Sequence, residues 1–460
     1  MRQKLLGSVF VPAICSLLLI GDRPSYSAQV RLDVGATNPT MLADQKETNY
    51  IRISLEGFDL AEQQSRPPVN VALVIDTSGS MNGQKIAQAR DAAIAAVRRL
   101  RDNDIVSVVL YHSSVQVLVP ATKATDRDAI IRQIRGIRAN GSTALFAGVS
   151  KGAAEIRKFL DSESVNRVIL LSDGKANVGP KSPRELERLG ASFVKEGISV
   201  STLGLGLQYN EDLMSGLASA GSGNHLFVEE ADDLVAVFNN EFNDLMSVVA
   251  GEFKILAKVG PGVRPVRVLG TKADIDGSNV SIPLTQLYAR QERYFVLEVE
   301  VDAGEAGTSR PLVDVSVQYM NLVSETTDKL SSSVMVKFSD EVAQVKDDVD
   351  LETYAYCAIQ IANDKNGRAT LLRDAGRIGE AKELLGENAE ELKRLALKCV
   401  DNNLSEIVPE LQRNAVLNQS QAVSLEDASN WSRTRKAMKA EQNANAAQQS
   451  SRGYDYSVKP

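Results

Sequence analysis

The stretch from Val71 to Met81, VALVIDTSGSM, constrains the fold more than any other part of this chain. An apolar run that ends abruptly at polar turn residues is typical of a strand buried on both faces of a parallel sheet. Asp76, Ser78 and Ser80 follow as D-x-S-x-S, and one tight loop can turn their oxygen atoms toward a single point. Oxygen-only ligands are those that Mg²⁺ prefers, although the same residues also serve as helix N-caps.

Two later segments carry polar side chains where loops should follow strands. They are Asn140 to Gly148, NGSTALFAG, and Val168 to Asn177, VILLSDGKAN. Together with D-x-S-x-S, these segments resemble, in order, the three loops of the metal-ion-dependent adhesion site of the von Willebrand factor type A domain. The resemblance covers about residues 68–250. It implies that Thr143 and Asp173 complete the metal site.

In that family the hydroxyl groups contact the metal ion directly, and the aspartates act largely through water. The resemblance therefore assigns direct contacts to Ser78, Ser80 and Thr143, and water-mediated ones to Asp76 and Asp173. Because neutral ligands leave much of the positive charge on the ion, an Asp or Glu carboxylate of a partner protein is the expected last ligand. We expect Mg²⁺, with Ca²⁺ or Mn²⁺ as alternatives.

Strand-like and helical patterns alternate over residues 67–250, which predicts a doubly wound α/β sheet. The segments Asp104–His112 and Val115–Pro120 lie too close for a crossover helix, so we expect a hairpin with one antiparallel edge strand. Ligands bind at the carboxyl ends of the strands in such sheets. The pattern places Asp76, Thr143 and Asp173 at predicted carboxyl ends.

The regions flanking the α/β domain alternate apolar and polar residues with the period of strands. Residues 29–66 contain two such segments, and residues 251–345 contain six with turn residues between them. We expect both flanks to build one all-β sandwich into which the α/β domain is inserted, with the metal loops on the face opposite both connections. The alternative is a separate pair of N-terminal strands lying on the α/β domain.

The C-terminal part has a helical composition over residues 346–418, and a helical hairpin packed on the sandwich is the preferred interpretation. Its segment GRIGEAKELL resembles the turn of tetratricopeptide-like hairpins, but a single instance is no repeat array. Residues 419–460 are polar and are predicted to be a disordered tail.

Residues 1–28 have the three-part pattern of a secretory signal peptide. Arg2 and Lys4 precede an apolar run, and the small-residue segment SYSAQ follows it. We expect an extracytoplasmic protein, periplasmic, secreted or at the cell surface, without a membrane span in the mature chain. The alternative is that the segment is retained as an anchor.

Cys357 and Cys399 are the cysteines that remain after removal of a signal peptide. In an oxidising compartment such a pair is expected to form a disulfide. The turn signal Gly376–Gly379 lies midway between them, so an antiparallel hairpin would place them opposite each other. The alternative is two buried thiols that pack as small apolar groups.

Charge and composition restrict the classes of function that this chain can have. A net charge of −7 and a pI near 5.3 argue against a nucleic-acid-binding surface. We expect a non-enzymatic, metal-dependent protein-binding module for adhesion or scaffolding, similar in its flanking domains to bacterial von Willebrand factor type A proteins of the calcium-activated-chloride-channel-like group. One alternative is a structural extracytoplasmic scaffold without a metal-bridged ligand. The other is a metal-assisted hydrolase, for which the loops offer only Lys175 and His112 as base or nucleophile.

Overall fold

The structure is a computed structural model that describes residues 29–60 and 66–448. The predicted signal peptide lies outside these residues. Within them, every helix is too short or too polar to span a bilayer. The first described segment forms three strands, β1 (Arg31–Ala36), β2 (Thr40–Leu42) and β3 (Glu47–Glu56).

The central domain is a six-stranded sheet between two layers of helices. Its strand order is β6-β5-β4-β7-β8-β9, and the β5–β6 pair alone is antiparallel, which confirms the predicted doubly wound sheet and its edge hairpin. Its elements are β4 (Val69–Asp76), α1 (Gln84–Arg99), β5 (Ile105–Tyr111), β6 (Val115–Lys123), α2 (Arg127–Arg135), α3 (Leu145–Ile156), β7 (Val165–Ser172), α4 (Pro183–Val194), β8 (Ser199–Leu205), α5 (Glu211–Ala220), β9 (His225–Val228) and α6 (Leu234–Met246).

The central strand β4 is buried along its whole length, as its unbroken apolar sequence predicts. Leu73 and Ile75 pack into the core on one face of the sheet, whereas Ala72 and Val74 pack into the core on the other face. Two helical layers therefore hold β4 in place, and its carboxyl end carries Asp76 to the edge of the sheet.

The N-terminal strands and the strands after the α/β domain form one sandwich. One sheet has the order β1-β3-β15-β11, and the other has the order β12-β13-β10-β16-β17-β2 with β14 also paired to β10. Since β3 pairs with β15 from Glu47↔Val301 to Glu56↔Glu292, the α/β domain is inserted between strands of the sandwich. The later strands are β10 (Val248–Val259), β11 (Val263–Leu269), β12 (Asp274–Asp276), β13 (Asn279–Ile282), β14 (Gln286–Tyr288), β15 (Glu292–Val301), β16 (Ser309–Asn321) and β17 (Thr326–Ser339).

A buried network joins the amino ends of the α/β strands to the sandwich. Arg167 at the start of β7 donates to Glu241 of α6 at 2.8 Å and to the Tyr288 hydroxyl of β14 at 2.7 Å. The sandwich therefore lies against the amino edge of the sheet, and the loops after β4 and β7 lie at the opposite edge.

The C-terminal region is larger than the predicted hairpin. It contains α7 (Val342–Asp347), α8 (Leu351–Asp374), α9 (Ile378–Asp401), α10 (Val408–Ser424) and α11 (Trp431–Ala446). The prediction of a disordered tail over 419–460 is wrong for the end of α10 and for α11, while residues 449–460 lie outside the described part.

The polar residues of this region have partners, which explains why composition misled the prediction. Asn366 Nδ2 donates to Asn418 Oδ1 at 3.1 Å, and Gln442 Nε2 donates to Asn366 Oδ1 at 2.8 Å. Lys436 Nζ of α11 donates to Glu211 Oε2 of the α/β domain at 2.5 Å. Buried amides and ion pairs thus order a segment that has few apolar residues.

The predicted disulfide is wrong, because Cys357 and Cys399 are free thiols in separate clusters. Cys357 of α8 packs against Leu269, Tyr294 and Val296 of the sandwich. Cys399 of α9 packs among the helices instead. Equal distance from the turn places two residues at the same height in a hairpin, but it does not fix which side of each helix they occupy.

Candidate metal centre

Asp76 is held at the carboxyl end of β4 by two hydrogen bonds. Its Oδ1 accepts from the Ser78 backbone N at 2.8 Å, and its Oδ2 accepts from Ser172 Oγ at 2.8 Å. Asp76 is fully buried. The short turn that follows enters α1 through Gly83, whose φ of 82° favours glycine.

Oxygen atoms from all three loops lie close together, hydroxyl groups from the first two and a carboxylate from the third. Ser78 Oγ lies 3.1 Å from Ser80 Oγ, and Ser80 Oγ donates to Asp173 Oδ1 at 2.7 Å. A Cβ built on Gly174 would lie 3.2 Å from Thr143 Oγ1, 3.5 Å from Ser80 Oγ and 3.9 Å from Ser78 Oγ. Because residue 174 is glycine, no side chain occupies the space between these oxygen atoms.

Thr143 reaches the site from a loop between α2 and α3, so the prediction that it ends a strand is wrong. The second loop is tied to both others by the backbone. Gly79 N donates to Gly141 O at 2.9 Å, and Asn177 N donates to Thr143 O at 3.1 Å. Asn177 Oδ1 also accepts from Thr143 N at 2.8 Å. These contacts fix the backbone of Thr143 beside the other predicted ligand residues.

The site concentrates negative charge away from water. Asp76 and Asp173 both have 0% exposure. Burial raises the pKa of Asp76 to about 6, and the nearby Asp173 carboxylate adds to this, against the opposing effect of the hydrogen bonds from Ser78 and Ser172. A cation at this position would offset the cost of burying two carboxylates.

Three residues of the site were missed by the sequence reasoning. Lys85, in the first turn of α1, places Nζ 2.5 Å from Asp173 Oδ2. Ser172 and Asn177 orient Asp76 and Thr143 through the bonds given above. Lys85 lies just after the first loop, but its contact with Asp173 depends on how α1 leaves that loop. No sequence signal marks Ser172 or Asn177 as residues that orient the site.

The oxygen atoms fit a hard divalent cation. Asp76, Ser78, Ser80, Thr143 and Asp173 supply oxygen alone, as Mg²⁺ requires. Within residues 29–60 and 66–448, no group of three or more His, Cys, Asp or Glu side chains could hold a metal ion. Any cation site at these loops therefore depends on the hydroxyl groups as well as the two carboxylates.

The two histidines have different surroundings. His112 lies on the rim of the site, where its Nδ1 accepts from the Ser113 backbone N at 2.7 Å. His225, at the start of β9, is buried with Nδ1 2.9 Å from Thr202 Oγ1, and burial lowers its pKa to about 3. His225 is thus a neutral structural residue at the edge of the sheet.

Residues 70–240 match the family model of the von Willebrand factor type A domain. An uncharacterized protein of Synechocystis is 25% identical over 339 residues, which cover 69% of this chain and 80% of that protein. The rat inter-alpha-trypsin inhibitor heavy chain H3 is 28% identical over 165 residues, or 34% of this chain and 18% of that protein. The chain thus spans less than a fifth of this second relative.

Solved structures share the fold over most of the chain. A von Willebrand factor type A protein from Catenulispora acidiphila superposes with a TM-score of 0.70 at 15% identity, covering 92% of this chain and 98% of that one. The ArnB paralog VWA2 from Sulfolobus acidocaldarius gives a TM-score of 0.63 at 17% identity, covering 92% and 99%.

Residues 70–240 therefore form a domain of the von Willebrand factor type A kind, and the predicted fold class is confirmed. Domains of this family are typically metal-dependent protein-interaction modules. The likeness to the calcium-activated-chloride-channel-like group stays a prediction.

Proposed function

We propose that this protein is an exported, non-enzymatic module that binds a partner protein through a divalent metal ion, Mg²⁺, at the carboxyl edge of its α/β sheet. Asp76, Ser78, Ser80, Thr143 and Asp173 would hold the ion. The observation that carries this proposal is the convergence of three hydroxyl groups on the space beside Gly174, with two buried carboxylates behind them.

The bound ion would supply a positive centre with a coordination position for a carboxylate of the partner. The chain itself does the positioning. Ser172 and the Ser78 backbone orient Asp76, while Asn177 orients Thr143. Ligands held in this way need little rearrangement when an ion binds, which favours affinity.

The surroundings of the site favour a partner over a purely structural role for the metal. Residues on all three loops are exposed, among them Ser80, Asn82, Gly141, Ser142, Lys175 and Val178. The sandwich packs on the opposite edge through Arg167, so it does not cover these loops. An acidic side chain from outside can therefore approach the ion.

The test is capture of partners from an extract of the native organism, with the immobilised full-length chain in Mg²⁺ or in chelator. We expect a set of proteins that wild type retains in Mg²⁺, and that chelator and Asp76→Ala both remove. Asp91→Ala, which changes an exposed carboxylate on α1, is the matched control and should retain the set. Identical capture by wild type and Asp76→Ala would contradict the proposal.

A further inference from the structure

Lys85 is an unusual neighbour for a site built to receive a cation. Its Nζ lies 2.5 Å from Asp173 Oδ2, while Asp173 Oδ1 accepts from Ser80 Oγ at 2.7 Å. Both oxygen atoms of Asp173 are therefore engaged, one by a ligand hydroxyl and one by an ammonium group. The positive charge of Lys85 lies beside the position that the metal ion would occupy.

The charge balance of the site depends on this lysine. Asp76 and Asp173 are both fully buried, whereas the Lys85 side chain keeps 29% of its surface exposed. Buried carboxylates are costly unless a positive charge compensates them. Lys85, a residue of the protein itself, provides part of that positive charge.

The position of Lys85 leaves it able to move. Its ammonium group lies at the end of a flexible stem, beside the loop after β8, where a Cβ built on Gly206 would lie 3.6 Å from Nζ. Because 29% of the Lys85 side chain is exposed, a path to solvent is open to its ammonium group. A divalent ion that arrives at the hydroxyl groups meets either repulsion from Lys85 or the cost of moving it.

We infer that Lys85 is a built-in counter-cation that weakens metal binding at this site, so that the ion is held firmly only when an acidic partner adds its carboxylate. This inference rests on the proposed function and deepens it, because it couples retention of the metal to binding of the partner. The carboxylate restores the negative charge that Lys85 cancels. Metal and partner then bind with positive cooperativity.

The test compares Mg²⁺ dissociation constants of the full-length chain, measured by calorimetry at low salt. Lys85→Gln keeps the length of the side chain without its charge, and Lys85→Arg keeps the charge. Lys195→Gln removes an exposed charge at the end of α4, near the amino edge of the sheet. Since repulsion between close charges reaches several RT at a protein surface, we expect Lys85→Gln to bind Mg²⁺ at least about tenfold more tightly than wild type.

We expect Lys85→Arg and Lys195→Gln to stay close to wild type. A merely structural role for Lys85 predicts the opposite sign, because loss of its ion pair would loosen the loops and weaken binding. Unchanged or weaker Mg²⁺ binding by Lys85→Gln would overturn the inference while leaving the proposed function intact. Absence of Mg²⁺ binding from every variant and from wild type would overturn the proposed function as well.

Discussion

The two ends of strand β7 treat buried charge in opposite ways. At the amino end, fully buried Arg167 donates to Glu241, Ser199, Gln286 and Tyr288, which come from the α/β domain and the sandwich. At the carboxyl end, Asp173 and, on the neighbouring strand β4, Asp76 are both fully buried. Asp173 forms an ion pair with Lys85, whereas Asp76 accepts hydrogen bonds from Ser78 and Ser172.

The difference separates a joint from a binding site. A charge that is fully paired within the chain has no need of a ligand, and it fixes two domains against each other. A pair of carboxylates with incomplete compensation costs free energy until a cation arrives, and selection accepts such costs at functional sites. Strand β7 thus contacts the sandwich near its amino end, and its carboxyl end lies at the proposed cation site.

The largest expected effect comes from removing the paired positive charge of Arg167 near the amino end of β7. Arg167→Met should destabilise the protein by about 3–5 kcal/mol, because it leaves Glu241 buried and uncompensated. Urea denaturation measures the loss, and Arg184→Met, an exposed arginine on α4, is the matched control with little change expected. A loss below about 1 kcal/mol for Arg167→Met would remove the contrast between the two ends.

The second prediction concerns the pH dependence of stability that the buried, neutral His225 causes. Its pKa of about 3 lies below the ordinary value of 6.5, so the unfolded chain takes up the proton first as pH falls. Stability from this group is complete above pH 6.5 and is lost between there and pH 3, by about 2 kcal/mol at pH 5. Chemical denaturation at pH 7 and pH 5 should show a smaller loss in His225→Asn. Equal losses of stability in wild type and His225→Asn would refute the description of His225 as a buried neutral residue.

The smallest expected effect is a gain in stability from removing the charge of Asp76 at the carboxyl edge of the sheet. Burial raises the pKa of Asp76 to about 6, so its charge is unfavourable in metal-free protein at pH 8. Asp76→Asn removes that charge and keeps the shape of the side chain. We expect about 1 kcal/mol of added stability in chelator, measured by urea denaturation, and a lost response to Mg²⁺. A destabilised Asn variant would mean that the carboxylate is already well compensated.

The sequence predicts the α/β domain well, for a physical reason, whereas metal binding by the five proposed ligand residues stays a prediction. The apolar run into Asp76 reflects burial on both faces, and side chains at the ends of parallel strands must meet at one edge. The insertion into a sandwich followed from period-two patterns on both flanks, and the pairing of β3 with β15 bears it out.

The remaining errors come from contacts that no local pattern encodes. Helix α11 is ordered by side chains distant in sequence, such as Glu211 for Lys436 and Asn366 for Gln442. Cys357 and Cys399 are at similar distances in sequence from the turn Gly376–Gly379, but they lie in different clusters. Lys85 was missed because its distance from Asp173 depends on how α1 leaves the first loop.

The most direct test of the central claim is anomalous diffraction from crystals grown in Mn²⁺, a stand-in for Mg²⁺ that also prefers oxygen ligands. The account predicts one strong anomalous peak beside Gly174, in contact with the hydroxyl oxygens of Ser78, Ser80 and Thr143. The peak should vanish in crystals of Asp76→Ala. A wild-type structure in saturating Mn²⁺ with no anomalous density between these hydroxyl groups would contradict the claim that this edge of the sheet is a metal site.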